Sequence, residues 1–188
     1  EEAAHVVVRG CIFDGNANGF FTAPSTADVL FEANYVHGNG IVGSKQRIVY
    51  PVPLKDFVFE LDVEFLGGPI DGTLGFCWRG SGPDQWNPTN AYTLGLQWTG
   101  KFNVFAIDRN RARSIATGNA GSFAYRPTPL IDPRKTHVRI EAQGAHSEIH
   151  FNGQVLDRVD DASVKEGFLC IDTNGPIVKL SNLSLQSR

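Results

Sequence analysis

The sequence predicts an all-β fold: a single domain over residues 1–188 built as a two-sheet antiparallel jelly-roll sandwich. Three observations carry this expectation. Short runs rich in β-branched and aromatic residues recur along the chain, each closed by turn chemistry. The composition of 20 Gly, 10 Pro and 13 Phe supplies many turns and many side chains suited to pleated, half-buried surfaces. No stretch sustains a 3.6-residue periodicity, and only about one helical turn is suggested, near "STADVLFEA". Several short strands at regular spacing, with no linker or repeat between them, are the pattern of two packed sheets.

Taken in order, the predicted strands are "HVVVR" (5–9), "QRIVY" (46–50), "DFVFELDVEF" (56–65), "GTLGFCWR" (72–79), "AYTLGLQW" (91–98) and "KFNVFAID" (101–108). "RARSIAT" (111–117), "THVRIEAQ" (136–143), "SEIHF" (147–151), "QVLDRV" (154–159), "GFLCID" (167–172) and "IVKLSNLSLQ" (177–186) complete the set. The strongest hairpin signal is Asn152-Gly153, since both residues tolerate the positive φ angles that a type I′ turn requires.

Charge and length exclude several functions. The formal net charge of -3 is spread along the chain without a basic run, so nucleic acid is a poor partner. No apolar stretch approaches the roughly 20 residues of a transmembrane helix. The chain lacks Met and opens on "EEAA", which leads us to expect a processed, secreted or cell-surface protein. Cys11, Cys77 and Cys170 lack metal-ligand spacing, and Cys77 and Cys170 read as buried thiols in strands. His146 and His150 stand four apart, but on a predicted hairpin rather than a helix, so the spacing does not signal zinc. "FDGNANG" sets Asp14, Asn16 and Asn18 at alternate positions, as in a calcium loop, but Ser25 stands where a bidentate Glu would be needed. An EF-hand is excluded, and a structural calcium in this oxygen-rich loop stays open.

Alternation in the middle strands points to a site. Leu74, Phe76 and Trp78 face one way, as do Tyr92, Leu94, Leu96 and Trp98 in a later strand. The opposite faces carry Thr73, Gly75, Cys77 and Arg79, and Thr93, Gly95 and Gln97. If the two strands are adjacent, the second sets form a floor of small residues edged by Arg79 and Gln97. Glycine inside a strand marks either close approach by a ligand or a bend in the sheet. A shallow floor with a few fixed polar groups suits a sugar. Trp86, in "GSGPDQWNPTN", is placed either to stack on a sugar ring or to plug the end of the sandwich. Tyr125 and Arg111 are candidates for the far wall.

"RKTHVRIEAQGAHSEIHFNGQVLDRV" followed by "GFLCIDTNGPIVKLSNLSLQ" resembles the closing strands of the concanavalin A-like lectin/glucanase superfamily. The pattern is most similar to laminin-G-like carbohydrate-binding domains and 3-keto-disaccharide hydrolase-like domains. The resemblance runs from about residue 40 to the end. It implies the concanavalin A-like sandwich, and with it either glycan binding or glycoside chemistry.

Glucanases of that superfamily carry catalytic carboxylates as Glu-x-Asp-x-Glu on one strand, and Glu60, Asp62 and Glu64 in "ELDVE" match the string. Residues i, i+2 and i+4 share a face, and long side chains leaning together could approach the roughly 5 Å separation of a retaining pair. The order of strands in the resemblance instead sets the catalytic place on "AYTLGLQWTG", where Thr93, Gly95 and Gln97 occupy the three positions. None is a carboxylate, so none can act as the acid or nucleophile. Glu60, Asp62 and Glu64 then face solvent or pair with cations on a neighbouring strand, with Arg139 a candidate.

The expectation is therefore a non-catalytic, lectin-like domain binding an oligo- or polysaccharide through Arg79, Thr93, Gln97 and Trp86. A hydrolase or keto-glycoside-processing enzyme using Glu60, Asp62 and Glu64, with Asp108 a further acid, is the alternative. A laminin-G-like protein-interaction module is the third.

Overall fold

The computed structural model describes residues 6–9, 12–14, 29–32, 34–37, 46–82, 88–115 and 124–188. Among them the chain is all β, in two sheets packed face to face. Four short strands lead: β1 (Val6–Arg9), β2 (Ile12–Asp14), β3 (Val29–Glu32) and β4 (Asn34–His37). Then come β5 (Gln46–Leu54), β6 (Phe57–Gly67), β7 (Thr73–Ser81), β8 (Asn90–Gln97), β9 (Lys101–Asp108), β10 (Arg111–Ser114) and β11 (Arg126–Pro127). The chain closes with β12 (Thr136–Gln143), β13 (His146–Phe151), β14 (Gln154–Asp160), β15 (Gly167–Asn174) and β16 (Ile177–Ser187). The turn of helix suggested near "STADVLFEA" is instead occupied by β3, whose "VLFE" pairs with β1 and β16.

One sheet runs β1-β3-β16-β6-β12-β13-β14, with β2 and β4 attached beside β16. The other runs β10-β9-β8-β7-β15-β5, with β11 on β9. The short pairs β1/β3 and β2/β4 are parallel, and all other pairings are antiparallel. Each sheet turns one face inward by the two-residue alternation of its strands. β6 contributes Phe57, Phe59, Leu61, Val63 and Phe65, opposed by Leu74, Phe76 and Trp78 of β7 and Tyr92, Leu94 and Leu96 of β8. Trp78 and Tyr92 pack with ring centroids 5.7 Å apart, and Trp78 Nε1 donates to Ser147 Oγ of the facing sheet at 3.3 Å. Asn152 and Gly153 sit at φ 51° and 77°, the positive angles expected of the tight β13–β14 turn.

One irregularity decides what reaches the site. From Cys77 to Gly80 β7 advances three residues, while its partner β15 advances only two, from Cys170 to Phe168. Against β8 the same extra residue falls between Trp78 and Ser81. This is a β-bulge, and Arg79 occupies it in a left-handed conformation with φ 52°. Gly167 packs against it so closely that a Cβ there would lie 2.1 Å from the Gly80 carbonyl oxygen, leaving room only for glycine.

Candidate functional site

Antiparallel pairing in register builds the site. On the outward face of the second sheet, Asp172 of β15, Gly75 of β7, Gly95 of β8 and Asn103 of β9 stand side by side in one row across four strands. Arg47 of β5 is the backbone partner of Asp172 and extends the row by one position. Two residues along the strands, a second row reads Cys170, Cys77, Thr93 and Phe105. A third contains Ala91, Ile107 and Ala112.

The two central glycines matter through what lies over them. A Cβ at Gly75 would come within 2.3 Å of Asp172 Oδ1. One at Gly95 would meet Asn103 Oδ1 at 2.4 Å and the Tyr125 hydroxyl at 2.9 Å. The carboxylate and the amide therefore lean toward each other across bare backbone, and Tyr125 closes over the same spot. Tyr125 Oη and Thr73 Oγ1 share a hydrogen bond of 2.9 Å. Burial pushes the Tyr125 phenol up; the Thr73 bond works against it and the negative charge of Asp172 adds to it. Tyr125 thus stays a neutral hydroxyl at physiological pH, able to donate and accept. Above this row opens a cavity of about 520 Å³. Thr73, Asp172, Asn103 and Tyr125 line it beside the glycine row, and Cys77, Phe105, Ile107, Ala112 and Pro88 line it further along the strands, together with Asn110. A concave site with a few convergent polar groups on an otherwise apolar surface is the usual form of a small-molecule site.

The residues expected at the floor separate on inspection. Thr93 lines the cavity, its hydroxyl donating to the Phe105 carbonyl at 3.2 Å. Gln97 follows on the same strand face, half-exposed, with Nε2 donating to the Asp71 carbonyl at 3.3 Å. Tyr125 lines the cavity, while Arg111 is exposed at the start of β10.

Arg79 requires correction: it is not on the floor. The bulge interrupts the two-residue alternation and turns its side chain away from Gly75 and Cys77. The guanidinium is fully buried at the end of the sandwich. There it donates to the Lys55 carbonyl through Nε at 3.0 Å and Nη2 at 2.7 Å, and to the Val164 carbonyl at 3.4 Å. Asp56 Oδ1 lies 3.6 Å away. Trp86, Asn16 and Asn18 lie outside the described residues, and Asp14 closes β2. Among the described residues no group of three or more His, Cys, Asp and Glu is placed to hold a metal ion.

The "ELDVE" carboxylates line the outward face of the other sheet, where each has a basic partner. Glu60 pairs with Arg139, which also holds Glu141 at 2.7 Å. Glu64 meets Lys179 at 3.4 Å. Asp62 accepts from Lys135 and is bonded to His137 Nδ1, both at 2.9 Å, and takes Asn182 Nδ2 at 2.7 Å. Burial acts to raise the Asp62 carboxyl, but these three bonds outweigh it and hold it below the usual range. That is the opposite of the raised pKa a glycosidase acid requires.

Asp172 and Asn103 were missed by sequence reasoning. Alternation assigned neither to the floor, because it gives the face of a residue within its own strand but not which strands adjoin. β15 lies beside β7 although about 90 residues separate them in the chain. The available signal was a polar residue on the small-residue face of an otherwise apolar strand, as Asp172 is beside Cys170.

No family model matches the chain, and no curated protein matches it in sequence. Solved structures do match it in shape. The carbohydrate-binding module CBM66 from Bacillus subtilis superposes with a TM-score of 0.59 at 18% identity, over 83% of this chain and 92% of that one. Sheep galectin-11 gives 0.53 at 10% identity, over 73% of this chain and 95% of that one. A native glycosidic hydrolase gives 0.53 at 10% identity, covering 80% and 74%. At such identities the likeness is one of fold, and the fold is the concanavalin A-like jelly-roll sandwich.

Proposed function

We propose that this chain is a non-catalytic, lectin-like domain that holds a glycan over the Asp172–Gly75–Gly95–Asn103 row. The carrying observation is the pair of glycines that lets a carboxylate, an amide and a phenol converge over bare backbone. Asp172 would accept hydrogen bonds from sugar hydroxyls, Asn103 would donate and accept, and the Tyr125–Thr73 hydroxyl pair would do either. Thr93 and Gln97 contribute at the floor and its margin. The fold shared with a carbohydrate-binding module and a galectin supports the reading.

The fold is also shared with a glycosidic hydrolase, so catalysis is the competing reading. Asp172 is the one acidic side chain among the described residues lining the cavity. Hydrolysis by the common mechanisms needs two carboxyl groups flanking one bond, which favours binding over turnover. A glycan and polysaccharide binding screen, run with calcium and then with chelator, tests the proposal alongside an assay for reducing-sugar release. Binding without release is expected. Release that Asp172→Asn abolishes would replace binding with catalysis, and no binding across the panel would refute the carbohydrate reading.

A further inference from the structure

We infer that the ligand is amphipathic: a sugar bearing an apolar substituent, with the substituent seated over Phe105, Ile107 and Ala112. The inference rests on the carbohydrate reading of the same cavity and adds the chemistry of the ligand's second end.

The outward face of the sheet is graded along its strands. The row with Asp172 and Asn103 is polar, and Thr73 and Tyr125 reinforce it. Two residues further, Cys77 and Phe105 flank Thr93, whose hydroxyl proton is already directed at the Phe105 carbonyl. Two residues further again, the positions are Ala91, Ile107 and Ala112. At about 3.4 Å per residue, Asn103 and Ile107 are roughly 13 Å apart along β9. A single sugar ring spans about one of the two intervening steps, so a ring bonded to the polar row leaves the far end of the cavity to another group.

The volume agrees. About 520 Å³ lies well inside the roughly 300–1,000 Å³ that holds drug-sized ligands. Among the described residues the far end offers such a group one polar side chain, Asn110, beside the carbon and sulfur of Cys77, Phe105, Ile107, Ala112 and Pro88. A second hydroxylated ring there would give up water around several hydroxyls for the one Asn110 amide, which is costly. An aryl, alkyl or methyl-bearing substituent would be favoured by the same surface.

The test is isothermal titration of the whole chain with matched methyl and phenyl β-glycosides of glucose, galactose, mannose and fructose. For at least one sugar the phenyl glycoside should bind ten times more tightly than the methyl glycoside or better. Ala112→Asp, an exposed position on the short strand β10, should remove that increment, bringing the phenyl-to-methyl affinity ratio to about one. Ile107→Ser should act in the same direction, and Ala112→Asp serves as the arbiter if the serine variant folds poorly. Equal affinity for methyl and phenyl partners would overturn this inference and leave the carbohydrate reading standing. Absence of binding by any glycoside would overturn both.

Discussion

Arg79 and Asp172 exchange roles between the sequence and the folded chain. By alternation Arg79 belongs with Gly75 and Cys77, yet a single left-handed residue carries it to the end of the sandwich. There the cation is buried against two backbone carbonyls, with Asp56 nearby. Burial lowers its pKa from the usual arginine value, with Tyr92 and Asp56 opposing the shift. Arg79→Ala would leave the Lys55 carbonyl without its donors, so a loss of about 3 kcal/mol in folding stability is expected. Denaturant titration measures this, and glycan affinity per folded molecule should not change; a fall in affinity at full folding would return Arg79 to the site. Gly95→Ala should behave in the opposite way. Its Cβ would displace the ends of two side chains rather than backbone, so the fold should survive while affinity falls at least tenfold.

The strands explain which parts of the site were legible. Within β7 and β8 the sequence displays both faces openly, because Leu74, Phe76 and Trp78 alternate with Thr73, Gly75 and Cys77 without interruption. The bulge that ends this regularity has no comparably plain signal, since Arg79-Gly80 also reads as an ordinary strand end. The short strands β2, β3 and β4 were not anticipated, whereas the equally short β1 was, because its "VVV" is β-branched throughout. The β13–β14 hairpin was plain because its turn is dictated locally. Gly153 stands at φ 77° with nothing within 4 Å of a would-be Cβ, so Gly153→Ala isolates the backbone cost. A destabilisation of about 1 kcal/mol is expected by thermal or chemical denaturation; no loss at all would mean the turn is not held in that conformation.

Across the whole molecule, buried polar contacts join loops to sheets, and the charge of Asp161 among them adds to stability against acid. Tyr92 donates to Asp161, and Arg113 and Ser163 hold the same carboxylate. Burial acts to raise the Asp161 carboxyl, but the bonds from Ser163, Arg113 and Tyr92 prevail and hold it at about 2, against an ordinary 3.8. A depressed folded-state pKa stabilises the native state above the unfolded value, and that contribution fades as pH falls from about 4 toward 2. The difference corresponds to about 2 kcal/mol. Unfolding free energy measured at pH 5 and at pH 2 should show this loss, and Asp161→Asn should be less stable at pH 5 yet less sensitive to acid. Equal acid sensitivity in the two proteins would remove Asp161 from the account.

The central claim concerns one row of four residues, and glycan binding compared between the native chain and Gly95→Ala tests it most directly. A glycan bound by the native protein, not cleaved, and held at least tenfold more weakly by a fully folded Gly95→Ala variant is the predicted result. Undiminished binding by that variant would contradict the site, and no binding by the native chain would contradict the function.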